Sequence, residues 1–394
     1  MADMKKKLEN DVPRIGPKEI RKVFRFHWSA RRPFCLQGPP STVKSVGVYE
    51  GCLEAAEKLG REFVDWIKAP IEKKYEVVAN PKLYFIYCDL RAAETDVGDL
   101  RLQEMSNGKP FLEYKYNIVF KAFSHEESAG VLFLDEMNLA HTMTKSQFYK
   151  LINDRAIGDL PLAGQVLVVM AGNEAEHSRG ISADGVPLTT RRANYFVRVP
   201  TPTEFEEFAV RAEFSPLVTG YLAFQPSHTH DLQYDLPDGI GQPCPRTWNM
   251  LSDLLKANEK MSLDEVYMVA CGCVGPQVAA QFRAYVKSSQ RINLKELIEN
   301  PELFKQYDTE ENLSLAYAVV AGVADLWRSD KKVFGAAMEL VMMVRRDEFG
   351  AYMFRTMKAI DPEKFKKMGV EEKYKEIMMR VVGRYAKFLN EVSE

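Results

Sequence analysis

The chain has 394 residues, which at about 150 residues per domain predicts two or three domains and excludes a small disulfide-stapled scaffold. Hydrophobic residues make up 46% of the chain and charged residues 27%, values typical of a folded globular protein and not of a disordered one. The 53 Lys and Arg side chains balance the 55 Asp and Glu side chains to a net charge of -2. No overall charge therefore draws the chain to nucleic acid or to an anionic membrane.

The cysteines and the apolar runs predict where the protein works. Of six cysteines only Cys271 and Cys273 are close in sequence, and no second pair completes a zinc site, which favours reduced thiols in a cytosol. The longest apolar runs, residues 166–172 and 315–323, are shorter than the roughly 18 residues that span a bilayer. A secretory signal requires an apolar stretch after its charged start, and no such stretch follows residues 1–10. We expect a soluble cytoplasmic protein with no membrane partner.

The first half of the chain alternates short apolar runs with longer amphipathic stretches. The runs are residues 33–37, 83–89, 131–135, 166–172 and 195–199. They are rich in β-branched and aromatic residues and almost free of charge, as strands covered on both faces should be. This pattern predicts an α/β domain, residues 1–200, with a five-stranded parallel sheet. After Pro200, apolar residues recur at helical spacing, so a helical region follows.

The loop after the first predicted strand carries the first chemical signal. It consists of Gly38, Pro39, Pro40, Ser41, Thr42, Val43, Lys44 and Ser45, and a helix through Leu59 follows. In phosphate-binding sites, a strand is followed by a loop, a Lys-Ser pair and a helix, so that backbone N–H groups surround the phosphates. In such a site Lys44 would reach the β- and γ-phosphates, and Ser45 would bind Mg²⁺. A phosphate loop has glycine where Val43 stands, and a β-branched residue resists positive φ. An ordinary strand-to-helix turn is the alternative.

Polar residues also follow the third and fourth predicted strands. Asp135 and Glu136 end a buried strand, where ionised carboxylates are costly unless a cation or strong donors meet them. With a bound nucleotide, Asp135 would orient the magnesium and Glu136 would act as general base. Asn173 follows the next strand, where its amide could hydrogen-bond the γ-phosphate. The alternatives are a helix cap for Asp135 and a simple turn for Asn173.

Three arginines complete the candidate site. Arg191 and Arg192 precede the fifth predicted strand at the rim of the sheet, where an arginine could act on a neighbouring subunit's phosphate or simply remain solvated. Arg246 opens the helix that contains Trp248, so a cation lies at the positive end of a helix dipole. Lys44 shows the same placement at its own helix. Both placements favour an anion nearby.

These residues resemble the motifs of the AAA+ ATPases, and within them of the MoxR-like and dynein-related branch. The resemblance rests on Gly38-Pro39-Pro40 with Lys44-Ser45 (Walker A), on residues 134–140 (Walker B), on Ala171-Gly172-Asn173 and on residues 245–248, in this order over about residues 15–290. It implies a P-loop NTPase sheet of strand order 5-1-4-3-2, a helical lid at residues 201–290 and a homo-oligomeric ring, typically a hexamer. Residues 291–394, which the resemblance does not cover, are predicted to form a helical C-terminal extension.

The resemblance also implies a role for each motif residue. Lys44 and Ser45 bind phosphate and Mg²⁺, Asp135 and Glu136 serve the metal and the attacking water, and Asn173 senses the γ-phosphate. Arg191 or Arg192 is the finger that acts in trans, and Arg246 is the contact of the lid with nucleotide. Residues 101–114 correspond to a β-hairpin that faces the pore in this branch, although Asn107-Gly108 also fits a plain surface hairpin.

The sequence therefore predicts an oligomeric ATP hydrolase that uses ATP and Mg²⁺ and remodels a protein client. One alternative is a nucleotide-gated scaffold that hardly hydrolyses ATP, because Ser41 and Val43 replace loop glycines. Another is a motor stimulated by nucleic acid, which the net charge of -2 favours less than a protein client. His228 and His230 are candidate metal ligands, but no third cluster lies near them in sequence, so a structural role is preferred.

Overall fold

The computed structural model describes residues 12–105, 112–174, 186–237 and 239–390. The chain divides into two compact units, Met1–Pro200 and Thr201–Glu394. The first unit contains all the strands of the described residues, and the second is helical.

The first unit is built on a parallel sheet. Its strands are β1 Arg14–Ile15, β2 Phe34–Gln37, β3 Glu62–Asp65, β4 Tyr84–Arg91, β7 Ala129–Asp135, β10 Gln165–Gly172 and β11 Ala193–Val197. They lie in the order β1-β11-β2-β10-β7-β4-β3, and every neighbouring pair is parallel. Two small antiparallel hairpins accompany the sheet, β5 Arg101–Met105 with β6 Leu112–Tyr116, and β8 Ala156–Ile157 with β9 Leu160–Pro161.

The prediction of five strands is wrong, because the sheet has seven strands within the described residues. The five predicted strands lie side by side in the order 5-1-4-3-2, but β1 and β3 flank them, so the order of the whole sheet differs from the predicted one. The two added strands are short edge strands of two and four residues, and in β3 only Val64 is buried. A half-exposed edge strand does not need a continuous apolar run, so the sequence pattern does not reveal it.

Helices cover both faces of the sheet. The helices of this unit are α1 Pro17–Ala30, α2 Lys44–Leu59, α3 Ile71–Ala79, α4 Val97–Leu100, α5 Ile118–Ser124, α6 Thr142–Asp154 and α7 Val186–Thr189. On one face α1 and α2 pack through Ile20, Phe24 and Val48 against one set of strand side chains. On the other face α3, α5 and α6 contribute to a second apolar core. Alternate residues of each central strand enter the two cores, as period-two geometry requires.

The two glycines of α2 allow α1 and α2 to pack closely. A Cβ on Gly47 would lie 2.7 Å from Ile20, and one on Gly51 would lie 2.6 Å from Phe24. Larger residues at these two positions would force the helices apart. The glycines thus hold the helix that begins at Lys44 tightly against its neighbour.

The second unit is a stack of helices. They are α8 Pro202–Arg211, α9 Pro216–Phe224, α10 Pro245–Ala257, α11 Leu263–Val274, α12 Pro276–Ser289, α13 Leu294–Glu299, α14 Leu313–Ser329, α15 Val333–Met343, α16 Asp347–Ile360, α17 Pro362–Gly369 and α18 Glu372–Asn390. Short 3-10 helices occur in both units, at Pro81–Leu83, Met137–Leu139, Pro226–Thr229, Pro301–Gln306 and Glu310–Asn312. Capping boxes at Thr201 with Glu204 and at Ser262 with Glu265 fix two helix starts.

The side chains of the second unit form two apolar cores. One core lies within residues 205–286 and includes Trp248 and Phe282, and the other lies within residues 297–385 and includes Trp327 and Phe334. A division of this unit into a lid, residues 201–290, and an extension, residues 291–394, stays a prediction. Among the described residues, every helix is too short or too polar to cross a bilayer.

Candidate functional site

The loop between β2 and α2 is held at the carboxyl edge of the sheet. The amide of Gly38 donates a hydrogen bond to the carbonyl of Gly172 at the end of β10, over 3.3 Å. A Cβ on Gly38 would lie 2.5 Å from the carbonyl oxygen of Val197, so only glycine fits without movement of the neighbouring strand. The start of the predicted phosphate loop is therefore fixed by contacts to two strands.

Two residues of this loop have a left-handed backbone without being glycine. Ser41 has φ of 59°, and Val43 has φ of 56° and ψ of 22°. Val43 thus adopts the left-handed conformation that glycine accepts most readily, although its β-branched side chain disfavours positive φ. Residues in this region cost about 1 to 3 kcal/mol each and concentrate at functional sites. Two residues of the loop are therefore held in a conformation that their own side chains disfavour.

Lys44 is the first residue of α2, and its amine turns back over the loop. The side chain is buried, with 8% of the residue exposed. Its Nζ donates to the carbonyls of Gly38 (3.0 Å) and Pro39 (2.8 Å), to Thr42 Oγ1 (3.2 Å) and to Asn173 Oδ1 (3.3 Å). No side chain caps this helix, and no acidic residue lies in its first turn. A positive helix end and a buried ammonium group therefore meet at one point, an arrangement that favours an anion.

Asp135 and Glu136 lie at the end of β7, at the same edge. Strand β10 lies between β2 and β7, and Leu134 is in register with Met170. Asp135 and Glu136 therefore lie level with the end of β10 at Gly172. The amide of Glu136 donates to Asp135 Oδ1 over 2.9 Å. Glu136 has φ of 54°, a third left-handed residue at this edge, and it begins the short 3-10 helix Met137–Leu139.

Asn173 is linked to a polar network that the sequence did not reveal. Asn138 Nδ2 donates to the carbonyl oxygen of Asn173 over 2.6 Å. The buried Lys145 on α6 donates in turn to the carbonyl of Asn138 over 3.0 Å. Gly172 leaves room for Asn138, because a Cβ there would lie 2.8 Å from Asn138 Oδ1. The network connects Lys44, through Asn173 and Asn138, to α6, and a lysine in a helix gives no sequence signal of such a role.

Two further acidic side chains, those of Glu174 and Asp89, lie near Asn173 and Asp135. Glu174 directly follows Asn173 and forms a bidentate ion pair with Arg14, at 2.7 and 2.9 Å. Asp89 lies near the end of β4, with a buried Oδ1 that has no hydrogen-bond partner within the described part of the chain. Burial, and to a lesser extent the Asp135 carboxylate, raise the pKa of Asp89 to about 6, while Arg91 opposes the rise. The position of Asp89 near Asp135 can be recognised only once the order of the neighbouring strands is known.

The candidate arginines of the first unit lie at the opposite edge of the sheet. Ala193, the residue after Arg192, is in register with Phe34 at the start of β2, whereas the loop begins after the end of β2. One strand length, about 10 Å, separates the two edges. Arg191 is exposed, and its Nε donates to Asn153 Oδ1 over 3.2 Å. Arg192 is buried, with 6% exposed, and contacts Asn194 Oδ1 and the sulfur of Met170.

The remaining candidates lie in the second unit. Arg246 is exposed in the first turn of α10, after Pro245. His228 Nδ1 is hydrogen-bonded to the Tyr221 hydroxyl over 2.8 Å, and burial lowers the pKa of this imidazole. Its carbonyl accepts the indole N–H of Trp248. Within the described ranges, His, Cys, Asp and Glu side chains form no group of three that could hold a metal ion. The contacts of His228 with Tyr221 and Trp248 are contacts within the helical unit.

The hairpin predicted at residues 101–114 is present as β5 and β6. The two strands pair antiparallel, with Arg101 opposite Tyr116, and α4 and α5 flank them. The guanidinium of Arg101 lies 4.2 Å from the centre of the Tyr114 ring. The predicted turn at Asn107-Gly108 lies outside the described residues.

The donors at the carboxyl edge suit a magnesium nucleotide. Buried ammonium and helix N–H groups are the partners of phosphate oxygens, and the Ser45 hydroxyl and Asp135 carboxylate are hard oxygen ligands of the kind that Mg²⁺ prefers. Mg²⁺ is commonly held by only one or two protein ligands together with phosphates and water, so the protein does not need a complete cage. The residues present therefore fit the group that the sequence predicts.

No protein-family model matches the chain, and a search of the curated proteins finds no relative. A search of solved structures does find matches. PCH-2 of C. elegans matches at 11% identity over 77% of this chain and 66% of that chain, with a TM-score of 0.28. The RuvB Holliday junction branch migration motor of Thermotoga maritima matches at 12% over 72% and 76%, with a TM-score of 0.29. The replication initiator DnaA, bound to AMPPCP and single-stranded DNA, matches at 12% over 95% and 97%, with a TM-score of 0.33. Matches at these identities and TM-scores carry no information on activity.

Proposed function

We propose that the chain is a Mg²⁺-dependent ATP hydrolase of the AAA+ type, of the MoxR-like branch, that assembles into a ring and remodels a protein client. The observation that carries the proposal is the convergence of Lys44 and Asn173, with Asp135 on the next strand, at a loop in which Val43 adopts the glycine conformation. An ordinary strand-to-helix turn needs neither the buried amine nor the strained backbone.

The contacts support a division of roles at the carboxyl edge. Lys44 would hold the β- and γ-phosphates, since its amine already lies over the loop. Ser45 and Asp135 would hold Mg²⁺, and Glu136 would accept the proton of the attacking water. Asn173 would bind the γ-phosphate. Because Asn173 contacts Lys44 and is hydrogen-bonded to Asn138, which accepts from Lys145 on α6, a change at the phosphate would be transmitted to α6.

The position of the arginines supports action in trans. A side chain that precedes β11 lies one strand length from the loop of its own chain, so a phosphate within its reach belongs to another subunit. Of the pair, Arg191 is exposed and able to enter a neighbouring site, whereas Arg192 is buried against Met170. We assign the finger to Arg191. Arg246 remains the proposed contact of the helical region with nucleotide, and the β5–β6 hairpin the proposed contact with the client.

The test is steady-state hydrolysis by four single variants with nucleotide binding measured in parallel. Lys44→Ala should abolish binding, and Glu136→Gln should bind ATP without turnover. Arg191→Ala should bind ATP normally and lose about 10³-fold or more in turnover. Arg192→Lys is the matched control, since it keeps the buried charge, and it should stay active. If Arg191→Ala and Arg192→Lys both turn over ATP at the wild-type rate, the assignment of the finger is wrong.

Mixed assemblies separate action in trans from action in cis. An Arg191→Ala subunit keeps its own Glu136, and a Glu136→Gln subunit keeps its Arg191, so equal mixing of the two inactive proteins should restore roughly a quarter of the wild-type rate in a head-to-tail ring. The doubly substituted chain, mixed with Lys44→Ala, should restore nothing. Absence of recovery in the first mixture would contradict an arginine supplied by a neighbour.

The same assays distinguish the alternatives. Assembly with ATP but no release of phosphate, unaffected by Glu136→Gln, would indicate a nucleotide-gated scaffold. Stimulation of turnover by DNA or RNA, falling steeply with salt, would indicate a nucleic-acid motor. A protein client predicts neither behaviour.

A further inference from the structure

A chain of hydrogen bonds that passes through Asn173 joins two buried lysines. Lys44 and Lys145 are the only lysines buried in the described part of the chain, with 8% and 6% of each residue exposed. Lys44 Nζ donates to Asn173 Oδ1 over 3.3 Å, and Asn138 Nδ2 donates to the Asn173 carbonyl over 2.6 Å. Lys145 Nζ donates to the Asn138 carbonyl over 3.0 Å. Since lysine is rarely buried, two buried lysines at the ends of one such chain indicate a role beyond packing.

The contact with Lys44 determines which way the Asn173 amide faces. An ammonium group only donates, so the side-chain oxygen of Asn173 faces it, and the Nδ2 group is left to donate to an acceptor such as a phosphate oxygen. The main chain of Asn173 is held separately, because its carbonyl accepts from Asn138. The next residue, Glu174, is held by its ion pair with Arg14. Neighbouring residues therefore fix both the side chain and the main chain of Asn173.

The bond to Asn173 sets the orientation of the Asn138 amide. With Nδ2 directed at the Asn173 carbonyl, the Oδ1 of Asn138 is buried and makes no hydrogen bond among the described residues. This oxygen lies against Gly172, where a Cβ would be 2.8 Å away. Rotation of the amide by 180° would place Oδ1 against the carbonyl oxygen of Asn173 and lose the bond. A buried unpaired acceptor costs free energy, so the bond is kept although it leaves this oxygen unpaired.

The first turn of α6 holds Lys145 in place. Thr144, the residue before it, is 2% exposed, and its hydroxyl donates over 3.1 Å to the carbonyl of Thr95, in the segment after β4. The Lys145 side chain therefore starts from an anchored backbone and reaches the carbonyl of Asn138. A hydrogen bond from a charged donor is stronger than one between neutral groups, so the ammonium group holds Asn138 firmly.

We propose that Lys145 and Asn138 are positioning residues that orient Asn173 toward the γ-phosphate and so set the preference of the site for ATP over ADP. The inference rests on the proposed function, because it needs a nucleotide at the loop that Lys44 covers. Lys145 holds Asn138, Asn138 holds the main chain of Asn173, and the Nδ2 group of Asn173 donates to a γ-phosphate oxygen. ADP lacks that oxygen, so the two residues strengthen the binding of ATP and not of ADP. A residue needed only for folding would affect both nucleotides alike.

The experiment is calorimetric titration of the full chain with ATP and with ADP in the presence of Mg²⁺. Every chain carries Glu136→Gln, so that ATP is not consumed. Lys145→Met keeps the length of the side chain and removes its charge, and Asn138→Ala removes the amide. Each should weaken ATP binding about tenfold, which corresponds to 1.4 kcal/mol, and leave ADP binding within about twofold. The matched control is Lys150→Met, since Lys150 also lies on α6 and donates to a main-chain carbonyl, that of Gly158 between β8 and β9. It should change neither affinity.

A substitution at Asn173 shows whether the effect passes through that residue. Asn173→Ala should itself weaken ATP binding about tenfold, and adding Lys145→Met to it should cause little further loss, because residues that act through one another are not additive. Lys145→Met and Asn138→Ala remove different members of the same link, so either one tests it if the other does not fold.

The outcomes separate this inference from the proposed function. Equal weakening of ATP and ADP, additive losses in the double variant, or equal affinities of Lys145→Met and Lys150→Met would overturn the inference and leave the proposed function intact. A Glu136→Gln chain that binds neither nucleotide would overturn the proposed function, and this inference with it.

Discussion

The left-handed backbone at Val43 allows the strain in the proposed phosphate loop to be measured by comparing variants. Val43→Gly removes the Cβ that disfavours φ of 56°, which should recover about 1 to 3 kcal/mol. Two losses oppose this gain: glycine is more flexible in the unfolded chain, by about 0.5 to 1 kcal/mol, and the half-buried valine side chain is lost. The net effect on stability is small, so a single variant does not isolate the strain.

Val46→Gly supplies the comparison that does. It is the same substitution three residues later, in the first turn of α2, at a residue that is 37% exposed and has no positive φ. Both variants have the same unfolded-state penalty and lose a partly exposed valine, but only Val43→Gly relieves strain. Val43→Gly should therefore be more stable than Val46→Gly by about 1 to 3 kcal/mol. Val43→Ala keeps the Cβ and should be less stable than Val43→Gly by about 1 kcal/mol.

Urea unfolding read by hydrogen exchange on peptides of the first unit is the suitable assay, because the two units need not unfold together. Equal stabilities of the two glycine variants would refute the reasoning, since the left-handed conformation would then carry no penalty. So would a Val43→Ala variant as stable as Val43→Gly.

Three other substitutions test the surroundings of the candidate site and one carboxyl group of the second unit. Gly172→Ala should displace Asn138, destabilise the first unit by about 1 to 3 kcal/mol and weaken nucleotide binding. The control is Gly164→Ala, which has open space around its Cβ position and should be close to neutral in the same unfolding and binding assays. Arg192→Ala should lower the denaturation midpoint of the first unit by removing a buried, hydrogen-bonded guanidinium, and an unchanged midpoint would contradict its structural role. Glu206→Gln, on α8, tests a pH effect on stability. Because burial raises the pKa of Glu206 from 4.5 to about 7 in the folded state, the folded chain binds more protons than the unfolded chain between these pH values. The wild type should therefore lose up to about 3 kcal/mol of stability as the pH rises from 4.5 to 7. The variant should lack most of this loss in unfolding measured across that range, and an unchanged pH slope would show that Glu206 is not its source.

The sequence alone determined the central strands and the residues at their ends. Buried parallel strands need uninterrupted apolar runs, and a loop between strand and helix with Lys44 and Ser45 is recognisable without tertiary information. The edge strands β1 and β3 were missed because one exposed side removes the apolar run that reveals a strand. Val43 illustrates a different failure: its side chain predicts resistance to positive φ, and the contacts of the surrounding loop overrode that local preference.

Only the tertiary structure decided between residues that are equivalent in sequence. Arg191 and Arg192 are adjacent and chemically identical, yet the register of β11 with β2 buries one and exposes the other. Lys145 and Asp89 carry no motif, because the hydrogen bond of Lys145 to Asn138 and the charge of Asp135 near Asp89 depend on how the chain folds. Local sequence encodes periodicity and turn chemistry, but burial, and with it the energetic state of a polar group, is set by neighbours that only the folded chain brings together.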